Sequence, residues 1–230
     1  MEREINIYNQ KDKKESKEGD VEEIEADKEK VNILEESGLA CFEKMEFLLV
    51  LMGEKKTATS ERYVPFQWSD EEVKKYIEKA IEVINRRAKT ADDLGFETKL
   101  RRYFNIEDGE KAGRHYELIY AKEKSDLDEL EEVVEKGINS EDYHEKIGEL
   151  LSIPESSVKA FTEGDEQLLS DKEARKRLRD IEEGLDNFLN FRMSKDNFEK
   201  ELEFVKDRAE KIKRVSPEIY KEIKESPPLR

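Results

Sequence analysis

The chain has 230 residues, of which 35% are hydrophobic and 44% are charged, and its formal net charge at pH 7 is −16. This length suits one large or two small domains, and the apolar fraction is low for a globular core but too high for a wholly disordered chain. The negative charge opposes binding to nucleic acid and to anionic lipid, and it favours basic or neutral partners.

The composition also bears on the cellular compartment. A single cysteine, Cys41, excludes an internal disulfide bond, which suits a reducing cytosol. The amino-terminal sequence MEREINIYNQ lacks the basic and apolar pattern of a secretory signal, and the longest apolar run, Phe47 to Met52, is too short to cross a bilayer. We therefore expect a cytoplasmic protein that makes no membrane contact.

Residues 1 to 28 are nearly all charged or polar. Val21 and Ile24 supply no useful apolar face, so that ordering this segment would gain little free energy. We predict a mobile acidic tail, with a solvated surface helix from Asp20 onward as the alternative.

Residues 29 to 139 are predicted to form an α+β part. Apolar residues at helical spacing between Val31 and Met52 indicate two short helices separated by Gly38. Three strands are indicated by the stretches TATSERYVPFQ, FETKLRRYFNI and RHYELIYAKE. A helix capped by Ser69 lies between the first two strands, and another from Ser125 to Gly137 follows the third. This order predicts a small antiparallel sheet with helices packed on one face.

Residues 140 to 230 are predicted to be helical. Residues 171–191 and 194–215 each carry apolar side chains at alternating spacings of four and three, which is typical of narrow packing faces. The predicted buried residues are Ala174, Leu178, Ile181, Leu185 and Phe188, followed by Phe198, Leu202, Val205, Ala209 and Ile212. The short link NFRMSK predicts that the two helices form an antiparallel hairpin, and Pro217 begins a last helix. The predicted fold class is α+β and predominantly helical.

The stretch LLSIPESSVKAF, Leu150 to Phe161, resembles the helix-turn-helix of sigma-factor and response-regulator output domains. The resemblance implies a recognition helix whose exposed residues include Ser156, Ser157 and Lys159. However, residues 141–166 contain eight acidic residues and only two lysines. Because DNA binding depends on neutralising phosphates, we favour two core helices that meet at a proline turn.

A second resemblance covers residues from about 140 to 223. The stretches YHEKIGELLSIPESSVKAF and FRMSKDNFEKELEFVKDRAEKIKRVSPEIYKEI resemble an archaeal domain of unknown function. In that family a Gly-Tyr-Pro-x-Cys-Cys motif precedes a phenylalanine, and a Cys-Ser-x-x-Cys element precedes a helix that ends in Pro-Glu-Leu-Tyr. Pro154, Phe161, Ser194 and Tyr220 match this pattern.

The cysteines of that family are replaced in this chain. Ser156 and Ser157 stand at the paired positions, and Met193 and Asn197 stand at the downstream positions. Metal or redox chemistry at such a site requires thiolates. The resemblance therefore implies a scaffold that has lost its site.

Other patterns typical of catalysis or cofactor binding are weak. Neither His115 nor His144 has a partner at metal-ligand spacing, and the chain has no phosphate-binding loop and no Gly-x-Ser-x-Gly motif. Because the chain has 59 acidic residues, pairs of carboxylates are common everywhere in it, and such a pair does not indicate a catalytic acid and base. We predict no metal, no cofactor and no catalytic residue.

Two groups of basic residues interrupt the acidic sequence. Lys99, Arg101, Arg102 and Arg114 fall on adjacent predicted strands, and a second group on one predicted helix comprises Lys172, Arg175, Lys176, Arg177 and Arg179. We expect ion pairs with nearby acids, because runs of charge usually line solvated helix faces. The alternative is a local surface that binds an acidic peptide or RNA.

These observations predict a non-catalytic intracellular protein-interaction or regulatory protein with an unidentified protein partner, and a homodimer is possible. A helix-turn-helix DNA-binding regulator is the first alternative. A degenerate metal or redox domain is the second.

Overall fold

The computed structural model describes residues 28–65, 70–107, 111–137, 140 and 142–227. Within these ranges, the side chains at 62–65, 70, 72–73, 102–107 and 111–115 are not described. The predicted acidic tail lies outside the described residues except for Lys28, which begins the first helix.

The chain forms a predominantly helical α+β fold, as predicted. Its amino-terminal part consists of α1 (Lys28–Glu36), α2 (Cys41–Leu51), β1 (Thr57–Pro65), α3 (Asp70–Asp93), β2 (Glu97–Glu107), β3 (Lys111–Ala121) and α4 (Lys124–Lys136). Its carboxyl-terminal part consists of α5 (Tyr143–Leu150), α6 (Glu155–Glu163), a 3-10 turn (Asp165–Gln167), α7 (Asp171–Ile181), a second 3-10 turn (Leu185–Phe188), α8 (Phe198–Val215) and α9 (Pro217–Lys224).

The three strands form an antiparallel sheet in the order β1-β3-β2, in which Ala121 of β3 lies opposite both Thr57 and Glu97. Alternate residues of β3 point to opposite faces. Tyr116, Leu118 and Tyr120 enter the main core, whereas Ile119 and Ala121 enter a second cluster formed with α4 and α5. The prediction of helices on one face is therefore wrong, because α4 covers the opposite face at this end of the sheet.

One main hydrophobic core joins the two predicted parts of the chain. It contains residues of α1, α2, α3 and the sheet together with residues of α7, α8 and α9. Near its centre the ring of Phe47 stacks on Tyr120 at 4.2 Å and lies 6.2 Å from Phe96. Burial raises the pKa of Tyr120 well above its ordinary value, so that the phenol stays neutral. Residues before and after position 140 thus pack together in the main core.

The first helix of the predicted carboxyl-terminal hairpin is shorter than predicted. The helix that begins at Asp171 ends at Ile181 instead of continuing to Phe191, and the chain turns through Gly184 at a φ of 81°. A Cβ atom at Gly184 would lie 2.5 Å from the carbonyl oxygen of Lys224, so that only glycine fits this approach.

Because of this turn, the apolar residues predicted to share one helix face do not all have the same burial. Leu185 and Phe188 are buried in the second 3-10 turn, whereas Ile181, which we expected to be buried, is 48% exposed. Ala174, Leu178 and the predicted residues of α8 are buried as expected. Helix α8 packs against α9, which follows directly after Ser216.

We predict that Leu185→Ala lowers the free energy of unfolding by about 2–5 kcal/mol, because it removes buried methyl groups and leaves a cavity. Ile181→Ala should change it by no more than about 0.5 kcal/mol, because that side chain is largely exposed. Urea denaturation followed by circular dichroism measures both values. Similar losses at the two positions would mean that α7 does not end at Ile181.

Candidate interaction site

Helices α5 and α6 form a close helix-turn-helix pair. The turn contains Ser152 at a φ of 50°, and the amide of Ile153 donates a 2.8 Å hydrogen bond to the carbonyl of Gly148. A Cβ atom at Gly148 would lie 2.4 Å from a methyl carbon of Val158. Glycine at this position therefore permits the close approach of α6, which begins directly after Pro154.

Two of the three residues predicted for the outer surface of α6 point inward instead. The hydroxyl of Ser156 donates a 2.6 Å hydrogen bond to Glu201 Oε1 on α8, and Ser157 is only 3% exposed. Lys159 is exposed, and its ammonium lies 3.8 Å from Glu163. The hydrogen bond to Glu201 of α8 accounts for the inward orientation of Ser156, whereas the buried hydroxyl of Ser157 has no hydrogen-bond partner among the described residues.

Glu201 is fully buried and links three segments of the chain. Its Oε1 accepts the hydrogen bond from Ser156, and its Oε2 accepts a 2.7 Å hydrogen bond from the amide of Ser194. The hydroxyl of Ser194 in turn accepts a 2.9 Å hydrogen bond from the amide of Asn197. This carboxylate therefore fixes α6 and the loop before α8 to α8 itself.

The same region contains the positions at which the resembling family carries cysteines. Ser156 and Ser157 lie on one side of Glu201, and Met193 and Asn197 flank Ser194 on the other. Among the described residues, no group of three or more His, Cys, Asp or Glu side chains is arranged to hold a metal ion. Glu201 instead accepts hydrogen bonds from both segments, through Ser156 and through the amide of Ser194.

A second buried polar network supports the turn between α5 and α6. Lys55 forms an ion pair with Glu46 of α2, and the side-chain amide of Asn190 donates a 2.8 Å hydrogen bond to the same carboxylate. The guanidinium of Arg208 donates to Asn190 Oδ1 and, at 3.2 Å, to the carbonyl of Ser152. Burial lowers the pKa of both cations, and the charge of Glu46 opposes this shift.

Only two of the four basic residues predicted on the strands, Lys99 and Arg101, have described side chains. Lys99 and Arg101 both form ion pairs with Glu131 of α4. Arg102 and Arg114 lie in β2 and β3, opposite Tyr116 and Phe104 respectively, and their side chains are outside the described part of the chain. The described members of this group therefore contact α4 rather than forming an open basic surface.

Two of the five basic residues predicted on α7, Arg175 and Arg179, stabilise the turn that follows it. Arg175 donates to Asp171 at 3.0 Å and to the carbonyl of Asp186 at 2.7 Å, and Arg179 donates to the carboxylate of Asp186 at 2.8 Å. The two arginines thus satisfy backbone and carboxylate oxygens of the 3-10 turn, whereas Lys172, Lys176 and Arg177 are exposed.

The outer surface of α5 and α6 combines an exposed aromatic ring with acidic residues. Phe161 is 47% exposed and contacts His144, whose ring centroid lies 5.2 Å away at an interplanar angle of 62°. His144 also contacts Tyr143 at 5.2 Å. The exposed acids of the two helices and of the residues next to them are Asp142, Glu145, Glu149, Glu155, Glu163, Asp165 and Glu166. We refer to this set, with Phe161 and His144, as the outer surface.

No protein-family model, no curated protein and no solved structure matches this chain. Among the described residues, no helix has the length and apolar character needed to span a membrane. The resemblance to the archaeal domain of unknown function stays a prediction.

Two functional residues absent from the sequence predictions are the buried charges of α8, Glu201 and Arg208. Their spacing was the available signal, since Glu201 follows Phe198 by three positions and Arg208 follows Val205 by three. Both charges therefore lie on the buried face of the helix. A charged residue at such a position indicates a buried partner, although the spacing does not identify which residue it is.

We predict that Glu201→Ala lowers the free energy of unfolding by about 2–4 kcal/mol, because it leaves the hydroxyl of Ser156 and the buried amide of Ser194 without their acceptor. The matched control is Glu203→Ala on the same helix, where the side chain is 71% exposed and the change should be about 0.5 kcal/mol or less. Chemical denaturation checks both. A loss as small as that of the control would show that Glu201 does not hold α6.

Glu117 of β3 generates a pH-dependent prediction. Burial, and then the neighbouring carboxylate of Glu61, raise its pKa, while Arg101 lowers it to a smaller extent. A carboxyl whose pKa is raised by folding destabilises the native state above that pKa and has no such effect below its unfolded pKa. Glu117→Gln should therefore raise the Tm at pH 7, and the gain should disappear as the pH falls toward about 4.

Thermal denaturation across this pH range measures the effect, with the exposed Glu97→Gln on β2 as the control. If Glu117→Gln instead lowers the Tm at pH 7, the attraction to Arg101 outweighs both burial and the repulsion from Glu61.

Proposed function

We propose that this chain is a non-catalytic, cytoplasmic protein-interaction module that binds a protein partner on the outer surface of α5 and α6. The observation that carries the proposal is the exposed ring of Phe161 on a helix pair whose opposite side is hydrogen-bonded to α8. Large aromatic side chains are enriched among the residues that dominate binding energy at protein interfaces.

The contacts behind the helix pair favour this use. Ser156 is bonded to Glu201, and the turn at Ser152 is bonded to Arg208, so that α6 is attached to α8 at its start and through the turn before it. A surface that is already ordered loses less conformational entropy when a partner binds. The helix pair therefore offers a preorganised surface with an aromatic anchor at its exposed end.

The DNA-binding alternative is supported less well. A recognition helix presents its polar residues to the major groove, but Ser157 is buried and Ser156 bonds to Glu201. Lys159 lies near Glu163, and the segment carries eight acidic residues against two lysines. Such a surface repels phosphates rather than neutralising them.

A photoreactive p-benzoylphenylalanine in place of Phe161 tests the proposal, with the same residue in place of Ile181 as the control. Both positions are exposed to a similar extent, at 47% and 48%, but Ile181 lies at the end of α7 outside the outer surface. We expect a defined adduct from position 161 alone after irradiation in cells. The captured protein, once identified and purified, should bind Phe161→Ala about tenfold more weakly than the native chain, or about 1.4 kcal/mol.

Equal adducts from positions 161 and 181 would contradict the proposal. Equal affinity of the captured protein for the native chain and for Phe161→Ala would also contradict it. Binding of random duplex DNA at low micromolar protein, weakening steeply as salt rises, would also contradict it and favour the helix-turn-helix alternative.

A further inference from the structure

We infer that the segment that binds this outer surface is a basic peptide that contacts it through arginine side chains. This inference rests on the proposed function, since it names the chemistry of the partner of the same surface.

The ring of Phe161 is the first reason. Its edge-to-face contact with His144 occupies only part of the ring, since 47% of the residue stays exposed. The planar guanidinium of arginine is weakly hydrated and stacks on aromatic faces, whereas the ammonium of lysine is compact and strongly hydrated. An exposed phenyl ring therefore favours arginine over lysine at the same net charge.

The exposed carboxylates of the helix pair are the second reason. Glu163 ends α6 and Asp165 begins the 3-10 turn that follows it, and both are exposed. The side chain of Glu163 is 53% exposed, and its 3.8 Å separation from Lys159 is too long for a hydrogen bond. Asp165 already accepts a 2.6 Å hydrogen bond from Arg192 of the neighbouring loop. Carboxylates of this surface thus have room for arginine partners.

The charge of the outer surface excludes other occupants. An acidic peptide or a nucleic acid would meet the seven exposed acidic residues of this surface. A second copy of this chain would bring the same acidic surface to a symmetric interface.

Two labelled peptides of about ten residues test the inference, identical except that one carries arginines where the other carries lysines. Fluorescence anisotropy with the full chain at physiological salt measures each Kd. We expect the arginine peptide to bind about two- to fivefold more tightly, which is the size of a cation–π contact at an exposed site. Glu163→Gln should weaken the binding of both peptides, because their shared charge contributes as well.

Variants of Phe161 localise the effect. Phe161→Leu keeps an apolar side chain but removes the aromatic ring, and it should abolish the preference for arginine, as should Phe161→Ala. Ile181→Ala removes a similarly exposed apolar side chain elsewhere and should keep the preference. Circular dichroism melts of the same samples establish that each variant is folded.

Equal affinity of the native chain for the two peptides, or a preference for arginine that survives in Phe161→Leu, would overturn the inference. If a cross-linked partner nevertheless requires Phe161, only the chemistry of the partner is wrong and the proposed function stands. If position 161 captures no partner and the peptides also bind equally, both the inference and the proposed function fail.

Discussion

Helix α8 places two charged side chains, Glu201 and Arg208, on its buried face, and the contacts of both reach distant parts of the chain. Glu201 accepts hydrogen bonds from α6 and from the loop before α8, while Arg208 donates to that loop and to the turn between α5 and α6. A buried charge is costly unless it is paired, so that these groups allow few alternative arrangements of their neighbours. The orientation of α6, and hence of the outer surface, depends on them.

Local patterns predicted most of the helices and strands correctly, because burial of an apolar face sets the periodicity of each element. The prediction failed where a long-range contact decided the structure. Nothing in the spacing of Ile181 and Leu185 shows that Gly184 packs against the end of α9. Likewise, the alternation within β3 predicts a strand, but the path of α4 determines that Ile119 is buried on the second face.

The candidate site was predictable only in part, for the same physical reason. The helix-turn-helix was evident from Pro154 and the apolar residues around it, yet the hydrogen bond from Ser156 to Glu201 spans 45 positions of sequence. Arg175 and Arg179 looked like a basic surface but satisfy oxygens of the turn at Asp186. A charge pattern identifies charged side chains, whereas the fold determines which of them have partners.

In the proposed complex, the acidic charge and the exposed ring of the outer surface have separate physical roles. Long-range attraction between an acidic surface and a basic segment speeds their encounter and weakens as salt rises. It does not by itself distinguish one basic segment from another. A fixed aromatic ring acts only at contact distance and depends on the shape and hydration of the approaching cation. Because α6 is held by Glu201, the position of Phe161 is set before binding, so that in the proposed complex this contact supplies selectivity that the net charge of −16 cannot.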